Sequence, residues 1–304
     1  MNVRFSMVSS RPIPSALIHH IRQTITDVEA HPDEREVRSV GLNAITWFFE
    51  LSDNRIGPYS DSLEKFKGEM RGPAMALAID SAFITGPMAE NGPAAVVTDV
   101  DSTFITTEVI EMLAAHAGRE DEVRQVTETA MRGELDFAVS LEQRVATLEG
   151  VPSSVFDDVF ADIRLTEGAQ RLVDAVHARN GKFGLVSGGF SEVVGPLAER
   201  SGIDTYVANG LEVEGDSLTG RTYGDIIDAE AKVSNIIRWQ DEWQIPPEMI
   251  LCAGDGANDL PMMDHVGLGV SFMGKPIVLE NADCAINFPR LDAIAALVGW
   301  DIDG

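Results

Sequence analysis

The stretch Asp99-Val100-Asp101-Ser102-Thr103 puts two carboxylates two residues apart, directly after the apolar run AAVVT. Side chains two apart on an extended backbone share a side. Asp99 and Asp101 can therefore hold a cation together, or hold their pKa values apart for acid–base work. Taken alone, such a pair also suits a turn whose aspartates cap backbone amides. Three more polar motifs follow. Ser187-Gly188-Gly189-Phe190 comes after the run FGLV; its glycines let backbone amides approach an anion, and Ser187 adds a hydroxyl donor. Lys232 stands near the start of a helical pattern in Asp228-Ala229-Glu230-Ala231-Lys232. A cation there opposes the helix dipole, which implies an anion nearby. Gly254-Asp255-Gly256-Ala257-Asn258-Asp259 follows the run MILCA and opens another helix. Each motif has a bland reading as a turn, a surface lysine or a polar loop. Their shared position, at the ends of expected strands or the starts of helices, points to one site, because open α/β sheets bind ligands at the carboxyl ends of their strands.

The elements that must carry these groups divide near Glu90-Asn91-Gly92-Pro93. Beyond it, short apolar runs alternate with helical patterns, the signature of a parallel sheet covered on both faces. Strands are expected at 94–100, 183–187, 249–253, 268–272 and 284–288, with helices at 167–180 and 229–243. From Thr106 to Leu165 only helical periodicity appears, with a capping box at Ser140 and Gln143 followed by Leu141, Val145 and Leu148 on one face. This stretch reads as a helical insertion after the first strand. Before Glu90 the rhythm is strand (2–9), helix (14–28), a strand pair (37–51) turning near Gly41, helix (61–71) and strand (75–84). That order resembles the ACT domain, a ferredoxin-like module that binds amino acids in other enzymes. The first strand is followed by Ser9-Ser10-Arg11-Pro12 rather than a glycine-rich ligand loop, which favours a structural or pairing role over a sensor.

Composition narrows the partners. The chain has 304 residues, with 23 Lys+Arg against 49 Asp+Glu and a formal net charge of −26. A surface this negative repels nucleic-acid backbones and anionic lipid, so neither is expected as a partner. An anionic substrate needs local positive groups to overcome that field. At 44% hydrophobic and 24% charged, the chain is globular, not disordered. Cys252 and Cys284 both lie in apolar runs, as thiols of a reducing compartment do. The six histidines show no ligand spacing, the first residues lack a signal-peptide core, and no apolar run reaches the ~18–20 residues that span a bilayer. A cytoplasmic enzyme is expected.

With these motifs quoted, residues 94–299 are similar to the haloacid dehalogenase (HAD) superfamily of phosphohydrolases and, within it, to the phosphoserine phosphatases. The resemblance rests on DVDST (99–103), Glu108, AMRGELDF (130–137), SLEQRV (140–145), LVSGGF (185–190), Lys232 and GDGANDLPM (254–262). Val100 stands where the family often has Phe, facing away from the aspartates. The implied fold is a HAD-like Rossmannoid parallel sheet (89–304) with a helical cap at about 106–165, preceded by an α+β ACT-like domain (1–88). The implied reaction is Mg²⁺-dependent hydrolysis of O-phospho-L-serine, the last step of serine biosynthesis. In it Asp99 is the nucleophile that becomes an aspartyl-phosphate, and Asp101 the general acid and base. The implied metal ligands are the Asp99 and Asp255 side chains and the Asp101 backbone carbonyl, with Asp259 in support. Ser187, the Gly188 amide, Lys232 and Asn258 would hold the phosphate. Glu108 would meet the substrate ammonium and Arg144 its carboxylate, while Met131 and Phe137 exclude water. Two alternatives stand beside this: a phosphotransferase using phosphoserine as donor, and an amino-acid sensor with a vestigial phosphatase domain. A homodimer is expected because many ACT-like modules pair.

Overall fold

The computed structural model describes residues 1–28, 30–51, 61–131 and 137–302. By compactness the chain falls into two units, residues 1–96, 167–182 and 245–304, and residues 97–166 and 183–244.

The amino-terminal elements run β1 (Asn2–Ser9), α1 (Ser15–Asp27), β2 (Asp33–Val37), β3 (Asn43–Glu50), α2 (Asp61–Ala76) and β4 (Asp80–Thr85). They form a four-stranded antiparallel sheet in the order β2-β3-β1-β4, a split βαββαβ arrangement. Alternation along β1 buries Val3, Phe5 and Met7 on one face, against Leu17, Ile21 and Ile25 of α1 and Leu63, Phe66 and Met70 of α2. The Phe66 ring meets Phe49 and Phe83 edge-on at 6.3 and 5.9 Å. Helix α2 runs past the expected Arg71 to Ala76, and β4 begins at Asp80 rather than near Met75. The buried stripe Leu63, Phe66, Met70 and Ala74 continues the helical period across Pro73.

The remaining elements are α3 (Pro87–Asn91), β5 (Ala95–Thr98), α4 (Val109–Ala117), α5 (Glu120–Met131), α6 (Phe137–Ala146), α7 (Val155–Asp162), α8 (Ala169–His177), β6 (Lys182–Phe190), α9 (Ser191–Ser201), β7 (Thr205–Glu214) and β8 (Ser217–Tyr223). They continue with α10 (Ala229–Trp243), β9 (Ile250–Gly254), α11 (Leu260–Asp264), β10 (Leu268–Phe272), α12 (Pro276–Asn281), β11 (Cys284–Ile286) and α13 (Ala293–Leu297). Seven strands form one sheet in the order β11-β10-β9-β5-β6-β7-β8. The ladders β11–β10, β10–β9 and β6–β7 are parallel, and β7–β8 is an antiparallel hairpin turned at Gly215. Every residue of β5, β9 and β10 is buried, as in strands covered on both faces. This is the expected α/β HAD-like sheet, with helices α4 to α7 following its first strand. The hairpin β7–β8 is not among the expected strands. The supposed capping box also falls inside a helix: α6 begins at Phe137, three residues before Ser140, and Ser140 is buried in its first turns. Leu141, Val145 and Leu148 nonetheless lie buried, because their spacing is helical wherever the helix starts.

Within the first unit, carboxyl-terminal residues tie to the amino-terminal sheet. Arg35 and the Arg38 amide both bond Asp301 at 2.9 Å, and Asp80 accepts from the Asn287 amide and side chain at 2.7 and 2.6 Å.

Candidate active site

Strand β5 ends at Thr98, so the two aspartates lie just past its ladder. Asp99 (φ −61, ψ 164) and Asp101 (φ −65, ψ 132) keep extended dihedrals, and Ser102 (φ 56, ψ 5) then turns the chain through a left-handed conformation. Buried Val100 and Phe104 anchor this turn, Phe104 packing 5.9 Å from Phe183. Asp101 Oδ1 accepts from the Val109 amide at 2.7 Å, satisfying a free donor at the start of α4, and Oδ2 accepts from Ser187 Oγ at 3.3 Å. Burial, and then the negative charge of Glu108, push the Asp101 carboxyl up to about 7, against the opposing pull of the Val109 amide, Lys232 and Ser187. Near neutrality it can carry a proton, which is what a general acid requires.

Asp228 caps α10 by accepting from the Ala231 amide at 2.8 Å, which sets Lys232 in the first turns of the helix. Lys232 is fully buried, and its Nζ lies 2.8 Å from Asp99 Oδ1. The anion expected beside a lysine at this position is thus the Asp99 carboxylate. Strand β6 carries Ser187, Gly188 and Gly189 into the same region; the Gly189 amide donates to Ser187 Oγ at 2.8 Å. A Cβ on Gly189 would stand 2.6 Å from Asp101 Oδ2, so only glycine fits there. The Phe137 ring edge lies 3.0 Å from where a Gly188 Cβ would be, which puts Phe137 over Gly188.

Glu108 is half-buried and accepts from Ser102 Oγ at 2.9 Å. Arg144 is half-buried on α6; burial lowers its pKa, opposed by the charges of Glu108, Asp101 and Glu111, in that order. Glu108 and Arg144 therefore share the field around Asp101. Met131 ends α5, but its side chain, like residues 132–136 of the AMRGELDF motif, lies outside the described part.

After β9, Asp259 is fully buried and accepts from the Gly256 amide at 3.0 Å. A side chain on Gly254 would collide with that carboxylate. Asn258 is half-buried beside Gly256. The Lys275 amide donates to the Asp255 carbonyl at 3.0 Å, and its Nζ stands 3.9 Å from Asp255 Oδ2. Within the first unit, Asp255 and Asp259 each offer a carboxylate oxygen within 4.8 Å of the other. Hard carboxylate oxygens this close suit a small hard divalent cation.

Two residues of this network went unnoticed in the sequence. Ser102, inside the DxDST motif, holds Glu108. Asn209, fully buried in β7, donates to the Gly188 carbonyl and accepts from the Ile227 amide, both at 2.8 Å. Asn209-Gly210 is an ordinary turn signal, which hides a buried clamp.

Fold and site define an α/β enzyme with a carboxylate-rich centre at the carboxyl ends of its strands. Residues 96–264 match the family of haloacid dehalogenase-like hydrolases, and the chain belongs to that family. It is 48% identical over 195 residues to a phosphoserine phosphatase of Streptococcus thermophilus, covering 64% of this chain and 91% of the relative. It is 46% identical over 226 residues to a phosphoserine phosphatase of Streptomyces coelicolor, covering 74% of this chain and 55% of that longer relative. The structure also superimposes with TM-score 0.62 and 35% identity on a phospho-aspartyl intermediate analogue of phosphoserine phosphatase, covering 66% of this chain and 96% of that one.

Proposed function

We propose that this chain is a Mg²⁺-dependent phosphoserine phosphatase, hydrolysing O-phospho-L-serine to L-serine and phosphate through an aspartyl-phosphate on Asp99, in the cytoplasm and at the end of serine biosynthesis. The observation that carries the reading is the buried contact of Lys232 with Asp99, the first of the two aspartates at the end of β5. Support comes from relatives and a structural neighbour that are themselves phosphoserine phosphatases.

Asp99 attacks phosphorus in line and expels the serine oxygen, while Asp101, held by the Val109 amide and Ser187, gives that oxygen its proton. In the second half Asp101 takes a proton from the water that attacks phosphorus, and Asp99 is regenerated. Lys232, Ser187 Oγ, the Gly188 amide and Asn258 hold the phosphoryl oxygens, where the charge of the transition state gathers. The Asp99 and Asp255 side chains and the Asp101 carbonyl would hold Mg²⁺, with Asp259 in support. When bound, the cation neutralises the repulsion between the Asp99 carboxylate and the phosphate dianion. Glu108 meets the substrate ammonium and Arg144 its carboxylate with a planar fork; Phe137 keeps water out. Residues 1–88 are read as an ACT-like domain that supports pairing of two chains, and 89–304 as the phosphatase domain. The test is release of inorganic phosphate from phosphoserine with Mg²⁺: turnover there, and little with phosphothreonine or a simple alkyl phosphate, supports the reading. No release of phosphate, or transfer of the phosphoryl group to an added alcohol instead, contradicts it.

A further inference from the structure

We propose that Asn209 is a positioning residue that locks the Gly188–Gly189 peptide and the segment leading to Lys232 into one register; this rests on the phosphatase reading. No substrate group need touch it. Its side-chain amide points both ways. Nδ2 donates to the Gly188 carbonyl, and the N–H of that same peptide, on Gly189, donates to Ser187 Oγ, whose hydroxyl donates on to Asp101. Oδ1 accepts from the Ile227 amide, and the next residue, Asp228, caps α10, whose Lys232 reaches Asp99. One fully buried amide thus joins the two arms that carry the donors for a phosphoryl group. Chains of buried hydrogen bonds polarise and rigidify one another, so loss of one link is felt along the rest. Asn209 holds the carbonyl end of the Gly188–Gly189 peptide, as Ser187 Oγ holds its N–H end. If that peptide rotated, the neighbouring Gly188 amide and Ser187 hydroxyl would lose their aim.

The experiment compares Asn209→Asp, which is isosteric and keeps the acceptor for Ile227 but replaces the donor, with Asn209→Ser, whose shorter side chain gives up both bonds; circular dichroism confirms that each variant is folded. The readouts are kcat, inhibition by inorganic phosphate, inhibition by L-serine, and amide hydrogen exchange in 187–190 and 227–232. The expected result is a kcat lower by about 10²-fold, as for a misplacement of about 1 Å, with phosphate binding weakened about tenfold. L-Serine inhibition stays within about twofold, and exchange quickens in both segments together. Unchanged kcat and phosphate affinity in either folded variant overturns the proposal. So does equal weakening toward phosphate and L-serine, the mark of a general structural role. If the wild-type chain does not act on phosphoserine, the functional reading fails. Joint exchange of the two segments still reports on the clamp, and quickening in one segment alone overturns it.

Discussion

The ammonium group of Lys232 lies 2.8 Å from a carboxylate oxygen of Asp99, with side-chain exposures of 0% and 8%. A buried lysine is tolerated only with a counter-charge, and here that counter-charge is the proposed nucleophile. Lys232→Met should lower kcat by about 10²–10³-fold, the cost of removing one fixed donor from a phosphoryl-transfer site. Lys232→Arg should not restore it, because the broad guanidinium does not fit a slot shaped for an ammonium. Steady-state kinetics on the two variants, with circular dichroism to confirm folding, check this.

Arg144→Ala should act on binding. Loss of a charge-assisted pair costs about 1.5–3 kcal/mol, so KM for phosphoserine should rise roughly 10–150-fold with kcat much less affected. A phosphate ester lacking a carboxylate should show little change in the same assay. Equal losses on both substrates would make Arg144 structural.

Removal of divalent cations should abolish turnover, and Mg²⁺ should restore it. Asp255→Asn should shift the Mg²⁺ dependence to higher concentration, because a neutral amide oxygen binds a hard cation less well than a carboxylate. Titrating activity against Mg²⁺ after chelation measures the shift.

Asp80 gives a stability test remote from the chemistry. Burial pushes its carboxyl above the ordinary aspartate range, though the Asn287 amide and side chain pull against this. A raised folded-state pKa means that the stabilisation is fully present below the unfolded pKa of about 3.9 and is lost as pH rises through the raised value. Asp80→Ala should therefore cost more stability at about pH 4 than at about pH 7. Urea unfolding of both proteins at the two pH values decides it.

What the sequence disclosed follows from the physics of each signal. Asp99, Asp101, Ser187, Lys232 and Asp255 stand at strand ends or in the first turns of a helix, where short motifs and apolar runs mark position without tertiary information. Strands β5, β9 and β10 are legible because strands covered on both faces read as unbroken apolar runs. The hairpin β7–β8 was not: in TYVANGLEVEGDSLTGRTY only a few side chains, among them Leu211 and Leu218, are buried, so no strong period appears. Gly72-Pro73 reads as a helix stop, yet burial of Ala74 carries α2 on to Ala76. Asn209 was invisible for a different reason: both its partners are backbone atoms of distant segments, which no local pattern encodes.

The most direct test concerns the side chain at position 99. Acid-quenching the enzyme during turnover of phosphoserine and reducing it with borohydride should convert Asp99 alone to homoserine, since an acyl phosphate is reduced and a free carboxylate is not. Peptide mass spectrometry should find that change at position 99, and not in enzyme quenched without substrate. An active enzyme whose Asp99 is never modified, or an Asp99→Asn variant that turns over at the wild-type rate, would contradict the account.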